Sequence, residues 1–508
     1  MNDRIDSSNL VKQKTSEVWK FTGDTLWSAL ALSTQTLVGI IVLPIMTKAF
    51  STELFGVWTQ ISATMAVISS IIILGLDITY IRFLGGINEK EKIRNALGTI
   101  IWPVSVIGCL LCISSFFSQS SLSAVIFGDT EYDYFVPLIF FWSLGKALFL
   151  LSYSYYKASR SIRRGAIIQM ISSGCQCAVI CVLALIGTDL IWIVISCVMV
   201  QFVFTVINFI GIIAKVGLPA PHIGGLKKYL SFGIPLLPSS LLLWVLSSSD
   251  RYFITNILDV SQAGIYAVSR SLANICAFFL TPIAYNLFYT ISELWQKGEV
   301  KRVKSYFEYA MKLFLTMAVP VAIGLAMMSQ PLLKILTTTE YLIPWELVLM
   351  LTIGVLFMGI YQINVYVILL IEQTKWLPLI MIIASATSIG INSMLIPRIG
   401  ITGAAISNIV SYFVQAAIVT FWARIALAYR FDFVYFGKIT VAALLLAVYL
   451  WFVKADSVPG IILVIIGGVV LYTIGLIMMR AFSEQDKQLI RMVISNLVSK
   501  VKFWDTDH

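Results

Sequence analysis

Charge is scarce in this chain, and histidine is scarcer. Only 12% of its 508 residues are Asp, Glu, Lys or Arg, while 59% are hydrophobic. A soluble domain carries about a quarter charged residues, so this balance argues against a soluble globular protein. Histidine occurs twice, at His222 and His508, which argues against a histidine-built metal centre. The seven cysteines (Cys109, Cys112, Cys175, Cys177, Cys181, Cys197 and Cys276) all lie in apolar stretches, and none has the spacing of a metal site. Neither a metal nor an organic cofactor is expected. Glycine-rich nucleotide loops, zinc motifs and a Ser/His/Asp set are lacking. The first twenty residues are polar and basic, so a cleavable signal peptide is not expected.

What the chain has instead is apolar runs. They recur along nearly its whole length, each long enough to cross a hydrocarbon core of roughly 30 Å as a helix. Fourteen spans are expected: 21–47, 57–81, 95–117, 133–156, 165–187, 190–213, 232–256, 262–289, 307–330, 343–371, 377–397, 402–423, 434–453 and 459–479. The fold expected is all-α, a polytopic membrane protein with about 14 transmembrane helices. With segment 1–20 on the cytoplasmic side, all but seven of the 36 Lys and Arg fall in inner segments. The exceptions are Lys48, Arg251, Lys334, Arg398 and Lys454 outside, and Lys146 and Arg270 within spans. Such a bias is the positive-inside pattern, with both termini cytoplasmic. The net charge of +10 therefore reads as topology, and no nucleic-acid partner is expected. Segment 484–504 places apolar residues at helical spacing among Lys and Arg, the pattern of an interfacial helix. Residues 292–313 look like a second such helix, running into the ninth span.

A motif repeats. Phe50-Ser-Thr-Glu-Leu-Phe-Gly56-Val-Trp58 follows the first span, and Leu258-Asp-Val-Ser-Gln-Ala-Gly264-Ile-Tyr266 follows the seventh. Each glycine is expected to permit a tight turn and close backbone approach. Six spans separate the copies, so the halves are parallel repeats about an axis along the membrane normal. The expected organisation is two six-helix lobes, 21–215 and 229–424, then spans 13 and 14 within 434–480.

Charges inside apolar spans are rare and costly, and mark function by default. Lys146 lies about halfway along span 4. Arg270 lies about two turns into span 8, and Arg251 near the outer end of span 7. Arg82 lies near the inner end of span 2. These cations run from inner mouth to outer mouth and form a candidate substrate-binding cavity for an anion, since phosphate oxygens match Arg forks and Lys ammonium groups. Snorkelling to headgroups is the alternative for Arg82 and Arg251, and a structural ion pair for Arg270 and Lys146. Asp24, Asp77 and Asp250 are candidates for ion coupling or for pairing with those cations.

These features together resemble the polysaccharide-biosynthesis flippases (the Wzx type) of the multidrug/oligosaccharidyl-lipid/polysaccharide superfamily. The resemblance rests on Leu54-Phe-Gly-Val-Trp58, Leu74-Gly-Leu-Asp77 with Arg82, Phe232-Gly-Ile-Pro235 and Ser249-Asp-Arg-Tyr-Phe-Ile254 leading into Ala263-Gly-Ile-Tyr266. Asn392-Ser-Met-Leu-Ile-Pro397 with Gly400-Ile-Thr-Gly-Ala-Ala405 extends it. It implies two lobes forming a V that opens alternately to each side. It implies transport of an undecaprenyl-pyrophosphate-linked oligosaccharide (an O-antigen, capsule or exopolysaccharide unit) across the bacterial cytoplasmic membrane, and no enzymatic activity. H⁺ or Na⁺ is the implied coupling ion. Membrane lipids, a polysaccharide polymerase and assembly proteins are candidate partners. The alternatives are a lipid II flippase or multidrug/cation antiporter of the same superfamily, and a membrane glycosyltransferase or polymerase. The last calls for a large outer loop with catalytic groups, whereas the longest here, near 118–132, is short and carries Asp129 and Glu131.

Overall fold

Backbone polar groups find no water inside a bilayer, so a chain this apolar must satisfy them within each segment. The computed structural model does so with helices. It describes residues 27–481 apart from positions 29, 32, 88, 223, 430 and 454–456. Asp24, segment 1–20 and the amphipathic segment 484–504 lie outside the described residues. Among the described residues, twelve helices are long and apolar enough to cross a membrane, against the fourteen spans expected. The other two expected spans are present in different form. Span 1 is described as the 17-residue helix α1, Ser33–Ala49. Span 8 is divided into α11 (Val260–Ala273), a 3₁₀ segment Asn274–Phe279 and α12 (Leu280–Gln296).

Span 2 is also divided. Its helix α2 (Thr52–Ile73) stops where Leu74 and Gly75 both take left-handed backbone angles, φ 52° and 68°, and α3 (Leu76–Leu84) follows. Helices α4 (Lys90–Phe117) and α5 (Gln119–Phe127) come next, so the outer loop expected near 118–132 is largely a short helix. Then come α6 (Phe135–Ala158), α7 (Ile162–Ile186) and α8 (Leu190–Val216). The seventh span is built from α9 (Leu226–Gly233), a 3₁₀ turn carrying Pro235, and α10 (Leu237–Ile257). Beyond α12 lie α13 (Val300–Met327), α14 (Ser329–Leu336), α15 (Trp345–Leu370), α16 (Leu377–Ile399), α17 (Ile401–Leu427), α18 (Phe433–Phe452) and α19 (Val458–Met478). The amphipathic stretch 292–313 is the end of α12, a turn, and the polar first turns of α13.

By packing, the described chain forms two compact units. The first holds residues 27–271, 336–342 and 375–411, and the second 272–335, 343–374 and 412–481. This division departs from lobes 21–215 and 229–424: α10, most of α11 and α16 pack in the first unit. In that unit α6 is central, burying Ile139, Trp142, Leu144, Ala147, Leu151 and Tyr156 against α2, α4 and α8. In the second, α13 buries Phe307, Phe314 and Ala318 beside α15 and α18. The apolar faces left exposed on α18 and α19, among them Leu444, Val448, Leu463, Ile466 and Val470, fit contact with lipid tails.

The physical reason for that division lies in glycine. Gly56 sits one turn into α2 and Gly264 one turn into α11. A Cβ on Gly56 would lie 2.0 Å from the Val260 carbonyl oxygen, and one on Gly264 would lie 2.3 Å from that of Thr52. Each glycine thus meets the first residue of the other's helix, a reciprocal crossing like that of a twofold interface. The two copies of the sequence motif pack on each other, and close approach rather than a tight turn uses their glycines. A second crossing joins the break after α2 to the end of α9: a Cβ on Gly75 would meet the Gly233 carbonyl oxygen at 2.5 Å, and one on Gly233 that of Leu74 at 2.6 Å. Small residues that let backbones meet are the usual means of helix association in lipid, where apolar burial supplies no drive.

Candidate functional site

The densest set of buried charge lies where α10 and α11 face each other, in the first unit. Asp250 is 5% and Arg270 7% exposed. Arg270 Nη1 donates to Asp250 Oδ2 as a salt bridge. The Tyr266 hydroxyl donates to the same oxygen at 2.7 Å, and the Arg251 amide donates to Oδ1 at 2.9 Å. Tyr266 and Arg270 are four residues apart on α11, so one helix face presents both to the carboxylate. Arg270 lies in the last turn of α11, just before the 3₁₀ break, where the helix dipole favours a cation.

Arg251 adds a second guanidinium to this cluster. It is half-buried, attracted by Asp250 and repelled by Arg270. Two cations therefore lie near one carboxylate, and the salt bridge to it is made by Arg270. Arg251 Nε and Ser249 Oγ are enclosed and have no hydrogen-bond partner among the described residues. Buried polar atoms are nearly always paired, so two unpaired ones in one turn of helix call for an explanation. The same helix packs on α2 and α5, and three hydrogen bonds tie it to α2. Thr64 and Tyr252 share a hydroxyl hydrogen bond, Trp244 Nε1 donates to the Ala63 carbonyl at 2.9 Å, and Gln60 Nε2 donates to Thr255 Oγ1 at 2.9 Å.

The remaining expected site residues stand apart from this cluster. Lys146 is at the middle of α6. It is half-buried and densely surrounded by protein. Its Nζ lies 5.9 Å from the Phe149 ring centroid, and it forms no salt bridge among the described residues. Arg82 is exposed at the end of α3 and stacks over Phe232 at 4.6 Å. Asp77, in the first turn of α3, is attracted by Lys157 at the end of α6. Among the described residues no group of three or more His, Cys, Asp or Glu could hold a metal ion.

Sequence reasoning missed Tyr266, Ser249 and Lys157. Tyr266 had a signal, the four-residue spacing to Arg270. Lys157 had none, because its partner arrives by tertiary packing. Asn364, a polar residue of span 10, ties α15 to the linker after α17: its Oδ1 accepts from the Tyr429 hydroxyl at 2.8 Å.

The chain is similar to known proteins both in sequence and in fold. A structure of the lipid II flippase MurJ in an inward closed conformation aligns with a TM-score of 0.76 at 17% identity, covering 90% of this chain and 99% of that one. An inward-facing multidrug resistance MATE family transporter of the MOP superfamily aligns with a TM-score of 0.63 at 13% identity, over 79% and 98%. An uncharacterized membrane protein of Methanocaldococcus jannaschii is 28% identical over 148 residues. That match spans 29% of this chain and 29% of that relative's length. Residues 45–344 match the family described as polysaccharide biosynthesis protein. These residues are more than half of the chain and include both glycine crossings and the Asp250 cluster, so this multi-pass membrane protein belongs to the polysaccharide biosynthesis protein family.

Proposed function

We propose that this protein flips a polyprenyl-pyrophosphate-linked oligosaccharide between the leaflets of the bacterial cytoplasmic membrane, with both termini on the cytoplasmic side. The observation that carries this reading is the Asp250 cluster, where two guanidinium groups lie near one carboxylate, Arg270 pairs with it, and Arg251 Nε and Ser249 Oγ have no hydrogen-bond partner among the described residues. An anionic headgroup supplies the missing negative charge and the missing acceptors. Guanidinium forks fit its oxygens. Family membership and the likeness of fold to MurJ and MATE transporters support the same reading.

In this mechanism the sugars and pyrophosphate leave water for a cationic cleft while the polyprenyl tail stays in lipid. Arg82 meets the headgroup near the inner mouth, Lys146 holds it midway, and Arg251 and Arg270 receive it toward the outer mouth. Repeats 21–215 and 229–424 act as the moving halves. Exposure to either side then requires one backbone crossing to part while the other holds, Gly56 with Gly264 or Gly75 with Gly233. Coupling to H⁺ or Na⁺ falls to Asp24, Asp77 or Asp250. No covalent step is assigned, and a polymerase with its assembly proteins takes up the product. An O-antigen, capsule or exopolysaccharide unit fits this chemistry, and lipid II shares the same pyrophosphate.

Reconstituted vesicles test the proposal. The full chain should flip a polyprenyl-pyrophosphate glycan faster than a neutral polyprenol analogue. Arg251→Gln and Lys146→Ala should each slow it about tenfold or more, the loss expected for a hydrogen bond to a charged group. Unchanged flipping in both variants, or equal flipping of the neutral analogue, would overturn the assignment.

A further inference from the structure

The second unit holds a cavity of about 890 Å³ between one face of α13 and the linker that joins α17 to α18. This is within the roughly 300–1,000 Å³ usual for ligand sites. It lies where Lys and Arg concentrate, at the basic end of these spans. Lys304, Glu308 and Lys312 line one wall at four-residue steps, and Tyr429, Asp432 and Tyr435 line the other. Lys304 Nζ donates to the Ala428 carbonyl at 2.7 Å. Lys312 Nζ lies 2.8 Å from Asp432 Oδ2 and 4.8 Å from the Tyr435 ring centroid. Arg424 acts on Tyr429 and Lys438 on Asp432 from nearby. Among the described residues two cations, Lys304 and Lys312, and two carboxylates, Glu308 and Asp432, line the cavity, and Arg424 and Lys438 stand nearby. Beside it Phe433 and Val434 are 69% and 71% exposed, an apolar surface continuous with the charged one.

We propose that this cavity binds the phosphate of an anionic phospholipid whose headgroup carries hydroxyls, such as phosphatidylglycerol. With Arg424 and Lys438 nearby, cations outnumber carboxylates around the cavity among the described residues, and that excess favours an anion, as basic pockets among transmembrane helices do. Lys304 and Lys312 stand about 12 Å apart along α13, so two long side chains can close on a group between them. Glu308, between them, accepts from the headgroup hydroxyls. Phe433 and Val434 take the first carbons of the acyl chains. None of these residues belongs to the proposed transport path, so this inference stands or falls independently of the flippase reading.

The test uses the full chain purified in detergent, with lipid added. Native mass spectrometry counts bound lipid, and thermal unfolding compares phosphatidylglycerol, phosphatidylcholine, phosphatidylethanolamine and inorganic phosphate. Phosphatidylglycerol should bind most tightly and raise the midpoint most. Lys304→Gln, which leaves the Lys312–Asp432 pair intact, should weaken that binding about fivefold. Lys304→Gln with Lys312→Gln should abolish the preference over phosphatidylcholine, a difference read within each variant and so independent of its own stability. Equal binding of phosphatidylcholine, tighter binding of phosphatidylethanolamine, or an undiminished preference in the double variant would overturn the proposal. An equal shift with inorganic phosphate would assign the cavity to soluble phosphate instead.

Discussion

Two ion pairs of the same chemistry occupy opposite environments in this protein. The side chains of Arg270 and Asp250 are 9% and 6% exposed, whereas those of Lys312 and Asp432 are 29% and 41% exposed. Removing water from two charges costs several kcal/mol each, and only close pairing with further hydrogen bonds offsets it. Asp250 has those bonds from Tyr266 and the Arg251 amide. An exposed pair contributes about 0–1 kcal/mol, since water and salt screen it. The buried pair also carries a surplus cation, Arg251, which pairing does not require. A charge kept at a cost to stability is better explained by function than by folding.

The largest expected effect comes from breaking the buried pair. Asp250→Ala should destabilise by about 3–5 kcal/mol, because two guanidinium groups are left without their carboxylate. Thermal unfolding in detergent reads this, and the double variant Asp250→Ala with Arg270→Met should recover part of it. Full stability in the single variant would erase the contrast between the two pairs. A packing change in the same helix should cost less. Gly264→Ala forces a methyl group against the Thr52 carbonyl, for about 1–3 kcal/mol. If repeat-related contacts are equivalent, Gly56→Ala should match it.

At the exposed pair, Asp432→Asn should cost under about 1 kcal/mol, since Asn still caps α18 through the bond Asp432 Oδ1 now accepts from the Tyr435 amide. Its pH dependence sharpens the comparison. The hydrogen bond from Lys312, with the Tyr435 amide helping, holds the Asp432 carboxyl below its ordinary value. The associated stabilisation is fully present above the unfolded-state value and is lost as pH falls through the lowered folded one. The midpoints of the wild type and Asp432→Asn should therefore converge in acid; a constant gap would remove the charge as its cause. The smallest effect should be at Arg251. Arg251→Met leaves one cation on one carboxylate, so stability should hold or rise slightly while flipping falls. A stability loss as large as that of Asp250→Ala would make Arg251 structural.

Much of this was legible in the sequence. Long apolar runs dictate helices because a bilayer leaves backbone groups no other partners. Asp250, Arg251 and Arg270 stood out for the same reason: charge in an apolar run has a cost that needs an explanation. Gly56 and Gly264 were visible as a repeated motif, read as permitting a tight turn and close backbone approach, of which the structure uses the close approach. The backbone breaks at Leu74–Gly75 and Asn274–Phe279 were not legible, because apolarity continues across both and hydropathy does not register backbone angles.

By itself the sequence determined the membrane setting, the helical class, the buried charges and the family. Those follow from composition and local order, which act residue by residue. Which charges pair, which glycines meet and where Lys146 stands were decided by tertiary structure. Arg270 finds Asp250 twenty residues away, and Gly264 finds Gly56 across most of the first unit. Such meetings depend on how helices cross, and helix crossing in lipid is set by the fit of whole surfaces.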